Sequence, residues 1–346
     1  MKRLTSALTG VMLMAALLSG CSTTAASTPP ASANPTTAAV ETPAARTTIR
    51  IASLKGPTTM GLVKLMSDAK AGLGKQDYQV TMYGTPDEIV PLIAKGQVDV
   101  ALLPANLASV LYNKTKDASG SKLEVAAINT LGMLEVVEAG NTVHSIADLK
   151  GKTIYSTGKG ASPEYVLDYL LEKNGIDPAK DVDVQFTSEA TELAATLATK
   201  PNAIGVLPQP YVTVLKSKNP AIRTALSLTE EWTKVTPDSE MVTGVVAVRT
   251  TFATENRAAF NDFLTDYKAS TTYTNAEPAK AAPLIAEAGI VPSAAIAEAA
   301  IPACHITDIE GSQLKSTLNG YLTVLHAADP ASVGGSMPGD DFYYSR

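Results

Sequence analysis

A lysine, a glycine, one further residue and a hydroxyl occur twice, as Lys55-Gly56-Pro57-Thr58 and Lys159-Gly160-Ala161-Ser162, 104 residues apart. Turns of this kind suit one piece of chemistry. The first backbone N–H groups of a helix have no partner within it, and with the hydroxyls of Thr58, Thr59 and Ser162 they form a donor cluster for an anion or a carbonyl. Against this stands plain capping, in which Thr58 and Ser162 satisfy their own helices. Symmetric placement of the two turns favours ligand contact, with Lys55 in the first of them.

Other residues at the ends of expected strands extend this candidate set. Tyr83, Tyr155 and Asn106 could line a pocket, a tyrosine ring covering a ligand while its hydroxyl orients it; half-buried packing is the competing reading. Gln209 follows Pro208 at an equivalent turn. Glu240 could bind an amine, although a solvated loop carboxylate accounts for it equally simply. Gly151-Lys152-Thr153 ends like a phosphate-binding loop but has Ile146 where that loop needs glycine, and it precedes a strand. His144, His305 and His326 have no recognisable nucleophile partner, and neither a Gly-x-Ser-x-Gly elbow nor an HExxH motif occurs. Catalysis has no positive signal, and no cofactor is expected.

The elements that must hold these residues repeat as well. Val80 and Met82 recur as Val184 and Phe186, Glu88-Ile89 as Glu192-Leu193, and Val100-Ala101-Leu102-Leu103-Pro104 as Ile204-Gly205-Val206-Leu207-Pro208, all at the same offset. One unit used twice implies two lobes facing across a cleft. Each copy reads strand, turn, helix, strand, helix, strand, helix, which predicts an α/β fold with a mostly parallel sheet in each lobe. In such sheets ligands gather beyond the carboxyl ends of the strands, where both Lys-Gly turns fall. Further strands are expected over 123–129, 134–138 and 242–248. The chain is expected to cross between lobes near Met133 and return near Met241, giving lobe 1 as 47–133 plus 242–346 and lobe 2 as 134–241. Gly132 and Gly244 flank the two crossings.

Composition and the amino-terminal sequence set the surroundings. Lys2 and Arg3, the apolar run from Ala7 to Leu18, and Leu18-Ser19-Gly20-Cys21 form an export signal over 1–20. Its apolar run is shorter than the roughly 20 residues a bilayer span requires. Residues 22–46 are nearly all small, polar or proline and cannot offset the entropy of ordering, so 21–46 reads as a tether with an average reach of about 25 to 30 Å. Cys21 and Cys304 are the only cysteines, and a net charge of −6 argues against nucleic-acid binding. Three histidines without a cysteine cluster argue against a structural metal site.

Leu-Ser-Gly-Cys, the polar tether, Asp87-Glu88-Ile89 through Gln97-Val98-Asp99-Val100-Ala101, and Ile146-Ala147-Asp148-Leu149-Lys150-Gly151-Lys152-Thr153-Ile154 together resemble the nitrate, sulfonate, taurine and thiamine-precursor branch of ABC-transporter solute-binding lipoproteins. The resemblance covers about residues 48 to 275 and implies the type II periplasmic-binding fold with two crossover segments. It further implies an uptake receptor, lipidated (palmitate) at Cys21 and membrane-anchored on the extracytoplasmic face, that delivers a small organic solute to an ABC permease and its ATPase. The family's ligand-contacting loop corresponds to 156–162, which adds Thr157 and Gly158 to the candidate contacts; this loop has no arginine. The residues suit a carboxylate or sulfonate and equally a heteroaromatic ring. The alternative is a lyase-like enzyme on the same scaffold, with His144 as its general base.

Overall fold

The computed structural model describes residues 45–118 and 120–346. The expected signal segment, Cys21, and all of the tether except Ala45 and Arg46 lie outside them. Among the described residues no helix is long and apolar enough to cross a membrane. Residues 45–346 form one compact unit built on two sheets. Its strands are β1 (Thr48–Leu54), β2 (Asp77–Tyr83), β3 (Val100–Pro104), β4 (Leu123–Leu131), β5 (Leu134–Glu138), β6 (Thr153–Ser156), β7 (Asp183–Phe186), β8 (Ile204–Pro208), β9 (Arg223–Ser227), β10 (Val242–Arg249) and β11 (Ile306–Ile309). The orders are β11-β4-β10-β3-β1-β2 and β7-β6-β8-β5-β9.

The sheets are mixed, which corrects the expectation of mostly parallel ones. Within each repeat the strands joined by crossover helices are parallel: β1 with β2 and β3, β6 with β7 and β8. The other pairings are antiparallel, and the cause is an exchange of strands. After the helix Ala105–Thr115, β4 runs in the direction of β3 but one strand's width away. The gap is filled by β10, arriving from the other sheet in the opposite sense. In the second sheet β5 fills the same gap between β8 and β9. Only Gly132 and Met133 separate β4 from β5, whereas the helix Leu228–Val235 and a loop separate β9 from β10. Each sheet therefore takes in the strand that follows the other repeat, β10 in the first sheet and β5 in the second.

The repeat extends through the folded elements. β3 and β8 are 104 residues apart at both ends, and the helices Pro86–Ala94 and Ala190–Thr199 start 104 apart. The first strand departs from this offset by one residue. Ile51 pairs with Val80 and Val100, while Ile154, 103 residues on, pairs with their counterparts Val184 and Ile204. The turn after β6 is correspondingly longer than the turn after β1.

Alternating apolar positions put Ile49 and Ile51 under the helices on one face of the first sheet, with Ala52 facing the other. The later helices bridge both sheets. Trp232, fully buried, packs 5.1 Å from Tyr169 and 5.4 Å from Tyr321 of the last helix, Gly311–Ala328. Its indole N–H donates to Ser239 O at 2.8 Å. On the opposite flank Val214, from the helix Tyr211–Lys218, joins Ala297 and Ala300 in one apolar cluster.

Candidate functional site

The turns beyond β1, β2, β3 and β6, β7, β8 meet around a cavity of about 770 Å³, counting its open mouth. Its wall carries the repeat. Leu54 and Gly158, Pro57 and Ala161, Thr58 and Ser162, Gly84 and Ser188, Pro86 and Ala190, and Pro104 and Pro208 all line it, each pair 104 residues apart. Met133, Leu134 and Thr243 from the crossings, Lys55, Thr157, Pro163 and Tyr211 complete the wall.

Of the residues singled out from sequence, Lys55, Thr58, Thr157, Gly158 and Ser162 lie on this wall; Thr59, Tyr83, Asn106, Tyr155, Gln209 and Glu240 do not. Thr59 is fully buried, its hydroxyl against Ser53 Oγ at 2.7 Å and Leu54 O at 2.5 Å, which closes the first turn. Tyr83 contributes its backbone carbonyl, which accepts from the Lys55 N–H at 2.9 Å. Asn106 ties the two repeats together behind the cavity: its amide donates to Gly160 O at 3.3 Å and Ser332 O at 3.1 Å, and accepts from Ser162 Oγ at 3.3 Å. Tyr155 lies under the Lys200 ammonium, 4.2 Å from its ring centroid. Gln209 is buried between Glu135 and Thr213, and Glu240 is exposed.

As wall residues, Met133, Leu134, Tyr211 and the prolines escaped a reading that looked for polar chemistry, although the crossing near Met133 was expected. Constant offset was the signal that could have found most of them, since Pro104 and Pro208 stood in register. His144 is exposed, bonded to Asn141 O, and does not reach the cavity.

The wall's hydrogen-bonding capacity differs from a simple nest of donors. Thr58 Oγ1 donates to Leu54 O at 2.7 Å, Thr243 Oγ1 to Leu131 O at 2.6 Å and Tyr211 Oη to Lys55 O at 3.1 Å. With Ser162 donating to Asn106, each of these hydroxyls has its hydrogen engaged and presents lone pairs. Burial, with Glu189 nearby, pushes the Tyr211 phenol well above its ordinary range, so it stays neutral. Thr157 is 6% exposed, and its hydroxyl has no hydrogen-bond partner among the described residues. Proline occupies one of the first two positions of the helices Pro57–Met60, Pro86–Ala94 and Ser162–Lys173, and removes an N–H from each start. The N–H groups of Gly84 and Thr85 donate to Glu88 Oε2 at 3.1 and 3.0 Å, and that of Gly160 to Glu164 Oε2 at 2.5 Å.

The repeats are joined at the cavity by Tyr211 with Lys55, by Asn106 with Ser162 and Gly160, and by the Glu189 carboxylate against Gly84, where a Cβ would sit 2.5 Å from Oε1. Among the described residues no group of three or more His, Cys, Asp or Glu is placed to hold a metal ion. Cys304 is buried, its sulfur 3.7 Å from that of Met60, and burial pushes its thiol up.

A mixed-sheet α/β body in which two repeated units enclose a ligand-sized cavity, with strands exchanged at two crossings, is the two-lobed type II periplasmic-binding fold. Residues 69–291 match the family described as ABC transporter, phosphonate, periplasmic substrate-binding protein, and the chain belongs to that family. Its fold is similar to that of an ABC transporter protein from Parabacteroides distasonis, 22% identical, covering 86% of this chain and 99% of that one with a TM-score of 0.68. It is also similar to the alkanesulfonate-binding protein SsuA from Xanthomonas axonopodis pv. citri bound to MOPS, 15% identical, covering 85% and 96% with a TM-score of 0.65. YtlA of Bacillus subtilis (strain 168) is 26% identical over 139 residues, 40% of this chain and 41% of that one. The match thus spans less than half of YtlA's length.

Proposed function

We propose that the protein is an extracytoplasmic receptor that holds a small organic solute between two lobes and hands it to the permease of an ABC importer, driven by its ATPase. The wall of residue pairs 104 apart carries this reading, because one solute then touches the same turn of both repeats. Family membership gives the transport context. Lobe 1 is 47–133 plus 242–346 and lobe 2 is 134–241, with bending at the two crossings. Thr58 and Ser162 touch the solute, one from each lobe, alongside Lys55, Thr157 and Gly158. A neutral hydrogen bond contributes about 0.5 to 1.5 kcal/mol net. Thr58→Ala and Ser162→Ala are therefore each expected to weaken solute affinity about three- to tenfold by calorimetry; parental affinity in both folded variants would leave these residues as structural caps.

The lipid on Cys21 and the 21–46 tether keep the receptor at the membrane, which raises its effective concentration for the permease. Leu18-Ser19-Gly20-Cys21 supports this. Labelled fatty acid is expected in the parent and not in Cys21→Ala; label in both, or in neither, removes the anchor.

A further inference from the structure

We infer that the solute is uncharged, mainly apolar, and held through its own N–H or O–H donors, in a family described by phosphonate binding. The inference rests on the receptor reading above and deepens it. Three independent features of the wall point the same way.

The first is the loss of donors. An anion held by backbone needs free N–H groups at helix starts, and here proline has removed one from each of three such starts: Pro57, Pro86 and Pro163. In the first turn the N–H groups of Thr59 and Met60 already donate to Gly56 O at 3.1 and 3.0 Å.

The second is charge. N–H groups just before two of these starts face the protein's own carboxylates: Glu88 accepts from Gly84 and Thr85, and Glu164 from Gly160, which leaves the N–H groups of Thr58 and Ser162 as open backbone donors at the starts. These carboxylates offset the positive helix ends and place negative charge behind the turns that a dianion would have to approach. The Glu189 carboxylate against Gly84 adds a third. Among the described residues Lys55 is the one cationic side chain on the wall, and none of them puts a carboxylate there. The three carboxylates behind the turns offset the attraction of Lys55 for an anion, while a cation finds no partner on the wall.

The third is the polarity of the hydroxyls. Thr58, Ser162, Thr243 and Tyr211 spend their hydrogens on protein oxygens and turn lone pairs toward the cavity. Lone pairs repel an anionic oxygen and accept from a neutral donor. Thr157, buried and without a partner among the described residues, is free to donate or accept. Around these groups Leu54, Met133, Leu134 and the prolines offer apolar surface to the rest of the molecule.

The full-length protein is dialysed to equilibrium against a mixture of methylphosphonate, ethanesulfonate, nitrate, small primary amines, and uncharged aromatic and aliphatic alcohols, amides and aminopyrimidines. Each is present at about 1 mM, so that even weak binders register, and retained compounds are identified by mass spectrometry. Retention of uncharged compounds, unaffected by added salt, is expected. An O- or N-methylated analogue of a retained compound is expected to bind at least about tenfold more weakly, and Thr157→Val to weaken the parent compound about three- to tenfold. Retention of an anion or a cation with salt-sensitive affinity overturns the inference and leaves the receptor standing, as does a methylated analogue bound equally well. Retention of nothing removes the receptor reading, and this inference with it.

Discussion

Asp168, on the helix Ser162–Lys173, lies away from the cavity beside Glu164, Glu172 and Asp329. Burial and these neighbours push its carboxyl up to about 7 from an ordinary 3.8. The folded chain therefore binds a proton there that the unfolded chain releases. Stability from this group is fully present below the ordinary carboxylate range and is lost as pH rises toward 7. Asp168 is only partly buried, so a full conversion of the shift overstates the effect. Asp168→Asn is expected to stabilise the protein by about 1 to 3 kcal/mol at pH 8 and to leave it nearly unchanged at pH 4, by denaturant unfolding at both values. Equal effects at the two pH values would show that Asp168 is ionised in the folded state throughout.

Between elements, the crossings depend on close approach and not on unusual backbone. Neither Gly132 nor Gly244 has a positive φ. A Cβ on Gly132 would run into Thr229 and Met241, and one on Gly244 into Asn129, with Thr58 Cγ2 at 3.2 Å. Gly244 thus sets how near β10 lies to the first ligand turn. Gly244→Ala is expected to cost about 1 to 3 kcal/mol of stability through overpacking. It should also weaken solute binding through displacement of Thr58, whereas Gly132→Ala should affect stability with less change in affinity. Calorimetry on both variants checks this; unaltered affinity in folded Gly244→Ala would separate Thr58 from the crossing.

The same elements mark what was legible in the sequence. Val100–Pro104 and Ile204–Pro208 announced themselves as short apolar runs ending at proline, and so placed both third strands and the cleft beyond them. β9 and β11 did not, because Arg223-Thr224-Ala225-Leu226-Ser227 and Ile306-Thr307-Asp308-Ile309 carry too few apolar residues to signal a strand. They exist because a neighbouring strand needs an edge. Crossings near Met133 and Met241 were expected from the sequence, but the antiparallel insertion of β5 between β8 and β9 and of β10 between β3 and β4 was not, because strand pairing is a long-range property. Within the site, Thr58 and Thr59 are adjacent and chemically identical, yet one faces the cavity and the other the turn; that choice depends on the start of a one-turn helix, Pro57–Met60. Asn106 was read as a lining residue, yet it sits behind the wall because its partners Ser332 and Gly160 come from distant segments that the sequence does not bring together.

Across the whole molecule the two flanks of the cavity are held differently, and this sets how the lobes part. On one side Trp232 is packed between Tyr169 and Tyr321, and the last helix lies against β4 and β10 of the first sheet and against the helices Ser162–Lys173 and Leu228–Val235 that cover the second. Separation there would expose a fully buried tryptophan. At the mouth the Glu189–Gly84 approach and the Tyr211–Lys55 hydrogen bond are single contacts, which cost little to open. Under the proposed function, bending at the crossings is therefore expected to open the mouth and leave the aromatic packing intact. A solute touching paired turns gains its second set of contacts only when the mouth closes, and it favours closure by that difference in affinity. Asp87 and Glu192 are exposed, one on each side of this mouth, while Cys304 is buried and does not compete for label. Spin labels on Asp87→Cys and Glu192→Cys, in a chain carrying Cys21→Ala, are expected to give one short distance with saturating solute and a longer, broader distribution without it. Labels across Tyr169 and Tyr321 would not serve, since that packing persists in both states. An unchanged distribution at saturation would mean that the cavity is rigid and that solute enters through its open mouth without lobe movement.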